Sequence, residues 1–172
     1  MSRLQIIFIF LVCILPFSAC EKDDICVDGD TPLLIIRFYD AANPTEFKEV
    51  PGLRVIGIGN DDVVDTFTDR SSTLDSIGIP LKTIAPSTGF TFILDSADDE
   101  NGAEVGNSDT ITFSYEIDEN FVSRACGFVV NYENLSSDFT AIPENWIQSI
   151  EIVKTQVKLE TEETTAHVKV FH

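Results

Sequence analysis

The sequence predicts an all-β protein, an antiparallel sandwich of about eight strands. Apolar residues recur at every second position in several segments, as in strands that bury one face, and turn residues separate these segments at short intervals. No stretch shows sustained helical periodicity with caps. The chain has 172 residues, 44% of them hydrophobic, so it can bury a sizeable core and is too apolar to be disordered.

The predicted strands follow one another along the chain. Runs rich in β-branched residues come first, at 33–39, 53–58 and 77–84. Strict alternation marks the segments 90–94, 110–117, 128–132 and 166–170. Residues 146–159 are predicted to form one long strand, with Trp146 packed at an edge of the sandwich or, alternatively, lining a sugar-binding platform. The apolar phase changes between Ile152 and Val157, which predicts a bulge or bend there.

Turn residues stand between these segments, at 43–44, 51–52, 59–62, 86–89 and 98–107. This spacing favours an immunoglobulin-like sandwich, and a closed up-and-down barrel is the alternative because strand counting does not separate the two. No internal repeat or second domain is visible. We expect a signal peptide at 1–19, a lipidated tether at 20–31 and one β-domain at 32–172.

The first twenty residues have the layout of a secretory signal. Arg3 supplies a positive charge, residues 4–17 are almost all apolar, and the run is shorter than the roughly 20 residues that span a bilayer. Phe17-Ser18-Ala19-Cys20 resembles the lipobox of bacterial lipoproteins, with Phe in place of the usual Leu. The resemblance implies cleavage before Cys20 and its acylation by fatty acids such as palmitate. An ordinary signal peptide followed by a chance cysteine is the alternative.

An acidic cluster follows this cysteine, namely Glu21, Lys22, Asp23 and Asp24. It resembles the surface-export signal of Bacteroidota lipoproteins, which implies a lipid-anchored position exposed on the outer membrane. The alternatives are a merely solvated tether and an orientation that faces the periplasm.

The four cysteines have separate predicted fates. Cys13 leaves with the signal peptide and Cys20 takes lipid. Cys26 and Cys126 would then reach an oxidising compartment, where a disulfide between them is the default and would stabilise the fold by about 4.7 kcal/mol. Two buried free thiols are the alternative. Since Cys26 follows Cys20 by only six positions, a reach of about 20 Å, the disulfide would hold the domain close to the bilayer.

Charge and motif content limit the possible functions. With 29 acidic and 11 basic residues the net charge is −18, which excludes a nucleic-acid partner and favours protein or glycan partners over polyanions. No catalytic signature occurs, and no Cys/His cluster suggests a metal site. His167 lies on the polar phase of the last strand and is expected to be exposed or half-buried, and His172 is expected to be frayed.

Two acidic clusters remain, Asp61, Asp62, Asp65 and Asp69 in the first, and Asp95, Asp98, Asp99, Glu100 and Glu104 in the second. Solvated acidic loops are the expected interpretation. The second cluster fails the register of a calcium loop, because Ala97 stands where the first Asp is needed. A surface hydrolase would draw its paired carboxylates from Asp61, Asp65, Asp95 or Asp99.

Short segments across most of the chain resemble an uncharacterised lipoprotein family of Bacteroidota: Cys20, 25–26, 31–40, 79–81, 125–128 and 167–170. The resemblance implies an address and a fold, and supplies no catalytic residue. We therefore expect a non-enzymatic, membrane-anchored lipoprotein of the outer membrane that acts as a binding or assembly module, without a cofactor. The alternatives are a carboxylate hydrolase on the surface and a calcium-stabilised adhesion module.

Overall fold

A computed structural model describes residues 31–124, 126–159 and 165–172. Its eight strands are β1 (Leu33–Tyr39), β2 (Arg54–Gly57), β3 (Ser76–Pro80), β4 (Ser87–Leu94), β5 (Asn107–Ser123), β6 (Gly127–Asp138), β7 (Ser149–Ile152) and β8 (Val168–Phe171). No helix occurs in the described ranges. A helix capable of crossing a membrane is accordingly not found among them.

The strands form two sheets of four, which confirms the predicted sandwich. The first sheet has the order β3-β1-β8-β7 and the second has the order β2-β4-β5-β6. All neighbours are antiparallel except β1 and β8, which run parallel from the Ile36–Val168 pair to the Tyr39–Phe171 pair. A parallel pair is possible here because β1 and β8 are far apart in sequence and need no hairpin connection.

The core lies between the two sheets and follows the predicted alternation. Leu34, Ile36 and Phe38 of β1 are fully buried, and the residues between them are half-buried. Phe92 of β4 and Phe113 of β5 are buried in the second sheet. Truncation of any of these large side chains to alanine would cost about 2–5 kcal/mol, because the sheets could not close over the cavity.

The long strand predicted over residues 146–159 is wrong, because only Ser149–Ile152 forms β7. Val157 instead forms an isolated bridge with Tyr132 of β6, so the chain passes from the first sheet to the second after β7. The change of phase in the sequence therefore marks a switch between sheets. Trp146 precedes β7 and is buried in the core, where its indole N–H donates to the main-chain oxygen of Phe92 at 3.3 Å.

Both histidines are buried, contrary to the expectation. His167 is 1% exposed, and it precedes β8 rather than alternating within it. His172 packs edge-on against Phe38 and Trp146, and its main-chain N–H donates to the oxygen of Tyr39 at 3.0 Å. Burial of the imidazole lowers the pKa of His172, which favours its neutral form.

The β5–β6 hairpin extends past its neighbours. β4 pairs with β5 only from Asn107 to Ser114, so the later part of β5 pairs with β6 alone. Between the turn of the hairpin and the bridge at Tyr132, β6 has β5 as its one neighbouring strand among the described residues. We call residues 117–123 and 127–131 the hairpin tip.

Candidate functional site

A groove of about 540 Å³ opens beside the end of β2. Its walls come from residues 57–58, 60, 62–65, 80–82 and 88–90, and its polar lining includes Asp62, Asp65 and Lys82. The amide of Asn60 donates to Asp62 at 2.8 Å, and the ammonium of Lys82 approaches the main-chain oxygen of Ile58 at 3.4 Å. A groove lined by two carboxylates and an ammonium could hold a small polar ligand through hydrogen bonds.

The groove divides the first acidic cluster. Asp62 and Asp65 line it, whereas Asp61 lies outside in a turn with a positive φ of 56° and Asp69 pairs with Arg54. Among the four acids named for a hydrolase, Asp65 alone lines this groove.

The second acidic cluster is tied to two arginines. The guanidinium of Arg54 contacts Asp69 at 2.7 Å and Glu104 at 3.4 Å, and the hydrogen bond with Asp69 raises the pKa of Arg54. The guanidinium of Arg70 pairs with Asp98 and lies 3.5 Å from Glu104. These pairs bind the loop between β4 and β5 to residues 69–70 and to β2. We call these five residues the ion-pair cluster.

Glu104 is the centre of the ion-pair cluster. Its carboxylate accepts hydrogen bonds from the Ser96 hydroxyl at 2.7 Å and from the N–H groups of Ala97 and Gly106, both at 3.0 Å. Desolvation opposes ionisation, but these hydrogen bonds and the charge of Arg54 outweigh it and lower the pKa of Glu104 to about 2. The carboxylate therefore stays ionised and serves to fix the loop.

Asp99 also stabilises the loop in which it lies. Its Oδ1 accepts the N–H groups of Ala103 and Asn101, both at 2.8 Å, and these bonds lower the pKa of Asp99. In the described part of the chain, no group of three or more His, Cys, Asp or Glu residues is arranged to hold a metal ion. The acidic loop is therefore organised by hydrogen bonds and arginines.

Asp109 is a buried carboxylate that the sequence analysis missed. It is 4% exposed and accepts hydrogen bonds from the Asn145 amide at 2.6 Å and the Ile147 N–H at 2.8 Å. Burial raises the pKa of Asp109, and the hydrogen bonds oppose that rise. The alternation could have revealed it, because Asp109 shares the buried phase of β5 with Ile111 and Phe113.

Two buried tyrosines fix the base of the hairpin. The rings of Tyr115 and Tyr132 pack edge-to-face, with their centroids 4.9 Å apart. The Tyr132 hydroxyl donates to the main-chain oxygen of Leu81 at 3.0 Å, and that of Tyr115 donates to the oxygen of Lys82 at 2.9 Å. Burial raises the pKa of Tyr132 to about 12, so both hydroxyls remain donors at neutral pH. The hairpin is thereby fastened to the connection between β3 and β4.

The hairpin tip exposes a pair of aromatic rings. Phe121 and Phe128 face each other across the two strands with centroids 5.5 Å apart, and they are 61% and 67% exposed. Val122, which follows Phe121 in the chain, is also exposed. Cys126 is half-buried in the turn, and its N–H donates to the Ser123 hydroxyl at 3.1 Å.

Several predicted features lie outside the described residues. They are the signal peptide at 1–19, Cys20, the residues Glu21, Lys22, Asp23 and Asp24, and Cys26. Acylation, export and the pairing of Cys26 with Cys126 therefore stay predictions.

The chain was compared with known protein families, curated proteins and solved structures. The sequence model of a family described as a family of unknown function, DUF6452, matches residues 52–172. The match includes β2 to β8, the ion-pair cluster and the hairpin. No curated protein and no solved structure matches the chain.

Proposed function

The chain belongs to the DUF6452 family, whose function is unknown, and we propose from its own residues that it is a lipoprotein of a Bacteroidota outer membrane. In this proposal Cys20 holds the acyl chains, and the β-sandwich acts outside the bilayer as a non-enzymatic binding or assembly module. The partner is a protein or a glycan, because a chain with a net charge of −18 repels polyanions.

The order of features at the start of the chain is the observation that carries the proposal. A basic residue, an apolar run, two small residues and Cys20 follow one another as processing and acylation of a bacterial lipoprotein require. Two or three acyl chains on one residue anchor a domain stably, whereas a single chain binds only marginally.

The position of Cys126 supports a short tether. It lies in the turn at the end of the hairpin, where a disulfide to Cys26 adds a link without disturbing the core. Such a link attaches the folded domain only six positions after the acylated residue, a span of about 20 Å.

The arrangement of the acidic residues supports binding rather than hydrolysis. Asp69, Asp98 and Glu104 are paired with arginines, and Asp99 accepts main-chain N–H groups of its own loop. A carboxylate hydrolase needs two acids across one cleft with separated pKa values. The open groove with Asp62 and Asp65 is also lined by Lys82, which suits it to a polar group of a partner.

Processing is tested by expressing the full chain in a bacterium with and without globomycin, which blocks the lipoprotein signal peptidase. We expect the precursor to accumulate with the inhibitor and the mature amino-terminal peptide to have the mass of an acylated cysteine. Cys20→Ser should abolish both effects, whereas Cys13→Ser, a matched change within the apolar run, should mature normally. Normal maturation of Cys20→Ser would refute the proposal.

Surface exposure and the disulfide are tested separately. Non-reducing peptide mapping of the mature chain should recover Cys26 linked to Cys126. Protease added to intact cells should degrade the wild-type domain, and the double change Asp23→Ala and Asp24→Ala should protect it. Equal protection of both proteins would favour the orientation that faces the periplasm.

A further inference from the structure

We propose that the hairpin tip is a second membrane contact, in which Phe121, Val122 and Phe128 enter the headgroup region of the bilayer that holds the acyl chains. This inference rests on the proposed lipid anchor and adds the surface of the domain that meets the lipid.

The shape of the tip fits such a contact. Residues 117–123 pair with β6 alone and lie beyond Ser114, the last residue of β5 that pairs with β4. At about 3.4 Å per residue, this projecting segment is roughly 20 Å long. Phe121 and Phe128 lie at the far end of this projection with their rings in contact. Exposed aromatic side chains at the end of a projection can reach a flat surface without moving the sandwich.

The outer part of the hairpin tip has fewer charges than the rest of the chain. From Asn120 to Asn131 the sequence holds no acidic residue and one charged residue, Arg124, in a chain with 29 acidic residues. Arg124 is exposed in the turn, where its guanidinium could meet lipid phosphate. Aromatic residues are enriched at membrane interfaces because their rings tolerate both the acyl boundary and the headgroups.

The acidic residues nearest to Phe121 in the hairpin tip limit the depth of insertion. Asp118 and Glu119 precede Phe121 by three and two positions. Insertion to the level of Phe121 and Phe128 therefore keeps both carboxylates outside the acyl region, at a depth of about 5–10 Å that is typical of interfacial segments.

The proposed tether favours the bilayer as the surface that contacts the hairpin tip. Cys126 lies two positions from Phe128, and its predicted partner Cys26 lies six positions from the acylated Cys20. The acyl chains and the tip are therefore held within about 20 Å of each other. At this distance lipid is always present, whereas a second copy or another protein would have to displace it.

The test uses the acylated full chain, with its disulfide intact, reconstituted in phosphatidylcholine vesicles that contain brominated lipid. Phe128→Trp places a fluorophore at the tip, and wild type supplies the signal of the native Trp146. Val105→Trp is the matched control, because Val105 is 60% exposed and lies in the β4–β5 loop at the opposite end of β5. We expect bromine to quench the tip tryptophan at least about twofold more than the control.

The outcomes separate the two proposals. A carbonate wash that strips wild type from the vesicles would refute the lipid anchor, and the tip contact with it. If the chain stays bound but both introduced tryptophans are quenched equally, the anchor stands and the tip contact is wrong. A blue-shifted tip emission without bromine quenching would mean that protein covers the tip, and this too would overturn the inference.

Discussion

The main-chain N–H of Ile35 donates a hydrogen bond to Nδ1 of His167 at 3.0 Å, and the N–H of His167 donates to the oxygen of Ile35 at 2.9 Å. The two bonds join β1 to the residue before β8, at the start of the parallel pair in the sandwich. An imidazole nitrogen that accepts a hydrogen bond holds no proton. The contact therefore requires a neutral imidazole ring that has no proton on Nδ1.

Removal of this acceptor should destabilise the fold. His167→Ala leaves the Ile35 N–H without its side-chain partner and opens a cavity, at an expected loss of about 2–4 kcal/mol in urea unfolding. His167→Asn keeps an acceptor oxygen near the position of Nδ1 and should lose less. Lys169→Ala is the control, since the ion pair of Lys169 with Glu151 is a surface contact of about 0–1 kcal/mol. If His167→Ala lowered the free energy of unfolding no more than the control does, the hydrogen bond from Ile35 to His167 would not be stabilising.

The location of His167 shows where prediction by alternation fails. The two-residue period places it in the polar phase with Lys169, but β8 begins only at Val168 and the period does not extend to the residue before it. The main-chain oxygen of His167 also accepts the N–H groups of Val153 and Lys154. These contacts join three segments distant in sequence, and a local pattern contains no information about them.

The buried carboxylate of Asp109 predicts a second stability effect. Asp109→Ala removes the acceptor for the Asn145 amide and the Ile147 N–H, and it should cost about 2–3 kcal/mol in urea unfolding at neutral pH. Asp138→Ala changes an exposed aspartate of the adjacent strand and should alter stability by less than about 0.5 kcal/mol. Equal effects would show that Asp109 does not hold the segment before β7.

The low pKa of Glu104 predicts that the stability of the fold depends on pH. Its folded-state pKa of about 2 lies below the ordinary 4.5, so its stabilisation is complete above pH 4.5 and is lost as the pH falls towards 2. Because its side chain is 25% exposed, we expect solvent screening to limit the contribution to about 1–2 kcal/mol. Glu104→Gln should lower the midpoint of thermal unfolding at pH 6, and its difference from wild type should shrink between pH 4.5 and 2.

Glu100→Gln is the matched control for this measurement, because it makes the same chemical change in an exposed residue of the same loop. Its difference from wild type should stay small at every pH. A Glu104→Gln difference that does not vary with pH would contradict the role given to the ion-pair cluster.

The core and the ion-pair cluster differ in how far the sequence predicts them. The buried faces of β1 and β4 follow from alternation, since each strand encodes its own inward side. Arg54 and Glu104 are 50 positions apart, and their contact depends on how β2 and the β4–β5 loop meet in the fold. The acidic composition of the loop was visible in the sequence, whereas its neutralisation by arginine was not.

The hydroxyl of Tyr132 attaches the hairpin to the connection between β3 and β4. Tyr132→Phe removes the donor to the main-chain oxygen of Leu81 and keeps the ring against Tyr115, so the fold should lose about 1–2 kcal/mol while the core stays packed. Hydrogen exchange should therefore accelerate in the connection between β3 and β4 and at the base of the hairpin, with β1 unaffected. Tyr39→Phe, at a half-buried ring in the first sheet, should leave exchange at the hairpin unchanged. Acceleration spread evenly over both sheets would mean that Tyr132 supports the whole core rather than the orientation of the hairpin.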